Sequence, residues 1–249
     1  VLTVDTFPNK LSVKESVDLV VTEYGVASLK GRTVRERAQA LIEIAHPEDR
    51  AELIRLAKTQ KILYQDQIFL EDTSHLYPEH IATRETFKNN LMVRFRAIKP
   101  SDEEGMRRLF YRFSDTAVYY RYFTPVTAMP HSKMQSYVNI DYSTIVSIVG
   151  LVGDVGHGRI IAEARFVINK DRAYGDVAFV VDEGYQNLGI ASYLYGRLIE
   201  LAKEKGLKGF TADVLSSNRE MLKVLGKFGN DVKSRMEDGV LALTIDFKP

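Results

Sequence analysis

Val177-Ala-Phe-Val-Val-Asp-Glu-Gly-Tyr-Gln-Asn-Leu-Gly-Ile-Ala-Ser192 is the stretch on which the reading of this chain turns. Its first five residues are apolar and rich in valine, which describes a buried strand. A short polar stretch interrupts the run. From Gly189 onward Ile190, Leu194, Leu198, Leu201 and Ala202 recur at helical spacing until Gly206 stops the helix. A helix fed by a strand through a short loop presents unpaired N–H groups and the positive end of its dipole at that loop, a combination suited to a phosphate. Gly189 lets the backbone approach closely, Ala191 keeps the next side chain small, and Gln186 can orient the loop or reach an oxygen. An ordinary strand-to-helix turn containing a glycine is the competing reading, and residue chemistry alone does not separate the two.

Regular patterning extends outward from this junction. Val93, Phe95 and Ala97 alternate with Arg94 and Arg96, a half-buried strand. Ser101 and Glu104 have the spacing of a capping box for a helix striped by Met106, Leu109, Phe110 and Phe113. Short helices are expected at Ser114–Phe123 and His131–Asn139, then strands at Thr144–Val152, Arg159–Ile168 and Tyr174–Asp182. The long helix runs from Gly189 to about Lys205. A strand at Gly209–Val214, a helix at Asn218–Lys227 and strands at Asp231–Met236 and Val240–Phe247 complete a mixed α/β layer.

Upstream, Val17–Val21 reads as a buried strand entering a turn at Thr22–Gly25. Thr33 and Glu36 form a capping box for a helix with Val34, Ala38, Leu41, Ile42 and Ala45 inward, and Pro47 opens another helix to about Lys58. So small a unit buries little area alone and is expected to lean on something else. Residues 65–91, without period and ending in Asn89-Asn90, read as a connector. The expected organisation is therefore a small α/β unit over 1–64, a linker over 65–91 and a complete domain over 92–249.

Composition narrows the functions. The formal net charge is +1, which supplies no basic field for nucleic acid. No apolar run reaches the roughly 18–20 residues of a membrane span, so neither nucleic acid nor membrane is an expected partner. There are no cysteines, which excludes Cys-ligated zinc, disulfides and a cysteine acyl-enzyme. That absence is compatible with a reducing cytosol, and the expected location is cytoplasmic. The five histidines show no metal spacing, and no metal is expected. Gly150, Gly153, Gly156 and Gly158 mimic a nucleotide loop but join two strands and open no helix, so a hairpin is expected. The aromatic cluster Tyr119, Tyr120, Tyr122 and Phe123 reads as core rather than a ligand cage, with a wall on the acceptor side as the alternative. The chain starts on Val rather than Met, and a longer parent protein is expected.

Gln186-Asn-Leu-Gly189-Ile-Ala191 resembles the Q/R-x-x-G-x-G/A signature of the Gcn5-related N-acetyltransferase (GNAT) superfamily, in the matching strand–loop–helix context. The resemblance spans Met92–Pro249 and is nearest to GNAT domains of bacterial protein lysine acetyltransferases. Tyr119-Tyr-Arg-Tyr-Phe123, Asn139-Ile-Asp-Tyr142 and Asn218-Arg-Glu-Met-Leu222 extend it. It implies a GNAT fold, a mixed and mostly antiparallel sheet flanked by helices, with acetyl-CoA as substrate. The backbone of Phe179, Val180 and Val181 would pair with the pantetheine arm, and the amides from Leu188 to Ser192 would hold the pyrophosphate. The implied contact set also includes Gln186 and Asn187, with Asn218 near the pantetheine or the sulfur. Ser217 and Glu220 offer a capping box, so Asn218 has a purely structural reading as well.

The resemblance further implies direct transfer to an amine, expected to be a protein lysine on a CoA-metabolising enzyme. Only a neutral amine attacks a thioester, so a base is needed. Asp176 occupies the position where the protein-acetylating relatives carry a glutamate, and Glu163 is the reserve. Where many family members place a tyrosine to protonate the thiolate, this chain has Leu225, so the thiolate leaves unassisted or the domain is impaired. A non-catalytic acetyl-CoA sensor of a CoA-transferase is the rival function.

The N-terminal stretch Val20-Val-Thr-Glu-Tyr-Gly-Val-Ala-Ser-Leu-Lys-Gly-Arg32, with Glu36-Arg-Ala38 and Ile44-Ala-His-Pro47, resembles the C-terminal end of the acetyl-CoA hydrolase/transferase family. That family's glutamate nucleophile lies in an earlier segment, so Glu23 reads as structural.

Overall fold

The computed structural model describes residues 17–67, 78–153, 158–228 and 231–248. The expected turn residue Gly156 and part of the 65–91 stretch lie outside these ranges.

The N-terminal unit is a hairpin, β1 (Leu19–Thr22) and β2 (Gly25–Ser28), followed by α1 (Val34–Glu43) and α2 (Pro47–Thr59). Glu23 sits exposed in the hairpin turn. The Thr33–Glu36 capping box that opens α1 is present on both sides, and Pro47 is the first residue of α2. The inward face of α1 differs from the sequence expectation. Gln39, Ala40 and Ile42 are buried, whereas Val34 and Leu41 are exposed at 69% and 37%. The reason is β2, unread in the sequence, whose Ala27 packs with Leu29, Ala40 and Ile44 and so rotates the buried stripe. This unit rests on the rest of the chain: Arg108 donates to Glu36 at 2.9 Å, Gln135 donates to the Asp66 carbonyl at 2.5 Å, and the His131 ring lies 3.8 Å from that of Tyr64.

The larger unit is built on β3 (Thr83–Phe87), β4 (Leu91–Ala97), β5 (Ile145–Val152), β6 (Arg159–Ile168), β7 (Tyr174–Val181), β8 (Gly209–Leu215), β9 (Asp231–Glu237) and β10 (Val240–Asp246). They form one eight-stranded sheet in the order β3-β4-β5-β6-β7-β8-β10-β9. Thr83–Phe87 was expected to be connector and is instead an edge strand paired antiparallel with β4. Its residues show no alternation because most of its side chains stay exposed, while Ile81 just before it is 1% exposed in the main core.

The helices are α3 (Glu103–Phe110), α4 (Asp115–Tyr122), α5 (His131–Val138), α6 (Ile190–Glu204) and α7 (Arg219–Leu225). The Ser101–Glu104 capping box does not form. A 3-10 turn over Pro100–Asp102 leads into α3, and Asp102 accepts from the Lys99 amide at 2.8 Å while pairing with Arg96. Asp102 outcompetes Ser101 because a buried carboxylate is satisfied there by two guanidinium donors as well as the amide. The Ile190, Leu194, Leu198, Leu201 and Ala202 stripe of α6 is buried as expected, and Gly206 ends the run at φ +77°. Tyr195 of α6 packs against Phe179 and Phe210, filling one face of the sheet. On the opposite face Tyr137 of α5 donates to Glu163 of β6 at 2.8 Å. Covered on both sides, β5 and β6 are almost continuously buried, which explains their unbroken apolar runs.

Candidate functional site

Among the described strands, β7 and β8 are the parallel neighbours, and they pair only over Tyr174↔Gly209, Gly175↔Phe210 and Asp176↔Thr211. Beyond Asp176 the two strands part. Val177 to Val181 remain paired with β6 along one edge and leave the other edge open to a cleft of about 920 Å³. The cleft runs between β7 and Ala212–Val214 of β8, under α7 and past the first turn of α6. An open strand edge offers backbone N–H and C=O groups to any extended amide-bearing chain.

At its far end the cleft meets the Gln186–Ser192 loop. Asn187 at φ 61° and Gly189 at φ 103° both adopt the left-handed region, turning the chain so that α6 begins at Ile190 with no side-chain cap on its first amides. A Cβ on Gly189 would lie 3.7 Å from Phe87, so the glycine is required by backbone conformation rather than by crowding. Gln186 takes the structural of its two expected roles, donating to the Val181 carbonyl at 3.1 Å and tying the loop to the strand end. The adjoining Asp182 pairs with Arg112 at 2.7 Å and caps the Glu183–Tyr185 turn. The cleft is lined by Asp176, Phe179, Val180, Val181, Gln186 and Asn187, and also by Gly189, Ile190, Ala191, Ser192 and Asn218. Leu188 is partly buried and packs against the hydrophobic core instead. Asn218 is the N-cap of α7, its Oδ1 accepting from the Met221 amide at 3.2 Å. That displaces the expected Ser217–Glu220 box and gives Asn218 a structural duty at the cleft wall.

Asp176 lies at the point of divergence. Partial burial raises its carboxyl above the usual aspartate value, and the charge of Asp213 on β8 pushes the same way; Arg121 and Thr211 pull against both. Glu163 has a different character. It is 0% exposed, accepting from Ser147 and Arg165 at 2.6 Å each and from Tyr137 at 2.8 Å. Burial works against its charge, but the Arg165 and Arg121 guanidiniums outweigh that and hold it below the usual range. Glu163 is not among the residues that line the cleft, and its carboxylate is engaged in the core instead, which gives the reserve role expected of it no geometric support. Leu225 lies against the cleft at 1% exposure.

Sequence reading missed Arg121, Asp213, Lys88 and Lys227, all on the cleft wall. Arg121 donates to the Tyr137 hydroxyl at 3.0 Å, and its Nε is buried without a hydrogen-bond partner among the described residues. It stands within the Tyr119–Phe123 stretch, where the surrounding aromatics carry the stronger signal. Asp213 needed only the parallel β7–β8 register to be found. Lys88 had no signal, because the strand that delivers it was not recognised. Among the described residues no group of histidine and carboxylate side chains has metal-binding geometry, and no helix is long and apolar enough to cross a membrane.

Comparison with known proteins agrees with this geometry. The model of the Acetyltransferase (GNAT) family matches residues 117–229, and that of the acetyl-CoA hydrolase/transferase C-terminal domain matches residues 1–57. Acetyltransferase Pat of Mycolicibacterium smegmatis is 32% identical over 155 residues, covering 62% of this chain and 45% of that protein. The 4-hydroxybutyrate coenzyme A transferase of Clostridium kluyveri is 56% identical over 50 residues, 20% of this chain and 12% of that protein. The chain thus spans less than half the length of either relative. Among solved structures, the GNAT domain of S. lividans PAT is 28% identical and superposes with a TM-score of 0.63, covering 69% of this chain and 99% of that one.

Proposed function

Because the chain carries a domain of the GNAT acetyltransferase family, we propose that it transfers an acetyl group from acetyl-CoA directly to an amine, with a protein lysine as the acceptor class. The observation that carries the reading is the parting of β7 from β8 beyond Asp176. It leaves a free strand edge of the length and polarity that a pantetheine arm, with its two amides, can pair with. The arm would lie along Phe179–Val181, and the pyrophosphate would meet the amides between Leu188 and Ser192 at the start of α6. The cleft joins an apolar strand wall to the loop that opens α6, which supports this reading.

In this reading the thioester carbon lies near the divergence point, with Asp176 beside it. The ammonium of the acceptor loses a proton to Asp176, directly or through a water, and the neutral amine attacks the thioester carbon. The tetrahedral intermediate expels the CoA thiolate, whose low basicity lets it leave without an acid, and the excess proton on the attacking nitrogen passes to the departed thiolate or to water. Leu225 supplies no hydroxyl there. That same feature supports a second reading, an acetyl-CoA sensor without turnover. The similarity of residues 1–57 to the acetyl-CoA hydrolase/transferase family suggests CoA-metabolising enzymes as the source of the acceptor lysine. The test is calorimetric titration with acetyl-CoA, followed by an assay of free thiol release with lysine-bearing peptides. Binding with release supports transfer, binding without release supports the sensor, and no binding removes both.

A further inference from the structure

The loop from Tyr185 to Ser192 contains neither lysine nor arginine, so its own contribution to anion binding is limited to amide dipoles. The nucleotide half of CoA carries a pyrophosphate and a 3′-phosphate, several negative charges in all. Two cations from other elements reach this loop from outside it. Lys88, in the turn between β3 and β4, has its Nζ 3.4 Å from the Asn187 carbonyl. Lys227, just beyond α7, donates to the Ser192 hydroxyl at 3.1 Å. Both line the cleft. Their neighbour Lys223 is neutralised by Glu220 at 2.6 Å, whereas neither Lys88 nor Lys227 is ion-paired with a described carboxylate. An ammonium has three donors, so one contact to the protein leaves each lysine two for a ligand.

The approach of Lys88 is built into the backbone. Asn89 and Asn90 follow it at φ 60° and 58°, a left-handed pair that asparagine tolerates better than most residues. The strand before it is fastened to α6: Thr83 shares a hydrogen bond of 2.6 Å with the Tyr193 hydroxyl, and Phe87 packs edge-on against the same ring. The β3–β4 hairpin therefore delivers a cation to the loop at Asn187, while the end of α7 delivers one at Ser192.

We infer that Lys88 and Lys227 are a two-point clamp on the phosphates of the CoA nucleotide, making β3 and its turn part of the substrate site. The inference rests on the acetyl-CoA reading for the identity of the thioester, but the clamp itself is a phosphate reader. It is tested in the full chain with two probes, acetyl-CoA and 3′-phospho-ADP, the nucleotide half of CoA without the pantetheine. Lys88→Met and Lys227→Met should each weaken both probes about tenfold, in line with the loss of a hydrogen bond to a charged group. The double variant should lose most of the salt dependence of binding, and Lys→Arg should retain affinity at either position. Acetyl-pantetheine, which lacks the nucleotide, should bind parent and variants alike. If both Met variants bind both probes with parental affinity and salt dependence, or if the parent binds neither, the clamp is wrong. If the parent binds 3′-phospho-ADP in a lysine-dependent way but not acetyl-CoA, the clamp stands and the acetyl-transfer reading falls.

Discussion

Asp176 stands opposite Thr211 on the last paired rung of β7 and β8, with Thr211 Oγ1 3.5 Å from the Asp176 carboxylate. The residue proposed as base is thus anchored where the sheet is still closed and faces the space where it opens. Asp176→Asn keeps the shape and removes the basicity. Acetyl-CoA affinity should persist while turnover falls by roughly 10²–10⁴-fold. Asp176→Glu should remain active. A base must be ionised, and this carboxyl is raised from the ordinary 3.8, so the acid limb of the parent's pH–rate profile should lie above that value. The Asn variant should lose that limb, and its deficit should shrink at high pH as the amine becomes neutral unaided. A variant as fast as the parent at every pH would make Asp176 a structural strand residue.

Gly189 permits a backbone conformation at φ 103° that other residues resist. Gly189→Glu adds that strain and sets a negative charge against the loop amides. Acetyl-CoA binding measured by calorimetry should disappear while circular dichroism stays that of the parent. Parental affinity in a folded variant would remove the loop from the site.

Glu163 is predicted to matter for stability. Glu163→Gln leaves the Arg165 guanidinium, itself 9% exposed, without its buried counter-charge, a loss of about 3–5 kcal/mol by analogy with broken buried pairs. Because the folded carboxyl titrates below its ordinary value, its contribution is present above the unfolded pKa of about 4.3 and is lost as pH falls through the lower folded value. Urea denaturation should therefore show a large gap between parent and variant at neutral pH and a smaller one in strong acid. An equal gap at both would mean that shape, not charge, is what the variant lost.

The edge strand β3 gives a boundary test. A chain beginning at Met92 forfeits the pairing with β4, the burial of Ile81 and the contacts of Phe87 with Phe95 and Tyr193. It should unfold at a lower temperature than one beginning at Pro78, by about 2–5 kcal/mol in stability for the large apolar side chains removed. Equal melting temperatures for the two would show β3 to be dispensable to the fold.

Legibility in the sequence followed burial. α6 and the strands β5 to β7 were plain because both depend on apolar periodicity, and the Gln186–Ala191 loop was plain because its glycine and its position between strand and helix follow from local chemistry. β3 was invisible because an edge strand with exposed side chains carries no alternation. The inward face of α1 was misassigned because its partner β2 is four residues long, too short to announce itself. Glu163 and Asp176 looked interchangeable as carboxylates on neighbouring strands. Only the register and the Ser147, Tyr137 and Arg165 contacts separate a neutralised core residue from one at the edge of a cleft. Asp213, Lys88 and Lys227 are far from Asp176 or from the loop in sequence, and their relevance depends on proximities that no local pattern encodes.

The three-rung parallel seam also governs how the protein assembles. On one side of it β3 to β7 are all antiparallel neighbours in chain order, and on the other β8, β9 and β10 form a second antiparallel group. Closing the seam requires the α6 crossover between β7 and β8 to dock, just as pairing β4 with β5 requires α3, α4 and α5 to be accommodated, and non-local closures of this kind are slow. A ligand lying in the opening would touch both groups at once and act as a staple across the weakest joint in the sheet. Occupancy then adds stability as the logarithm of ligand concentration over its dissociation constant, so the folded population would rise and fall with the supply of the substrate.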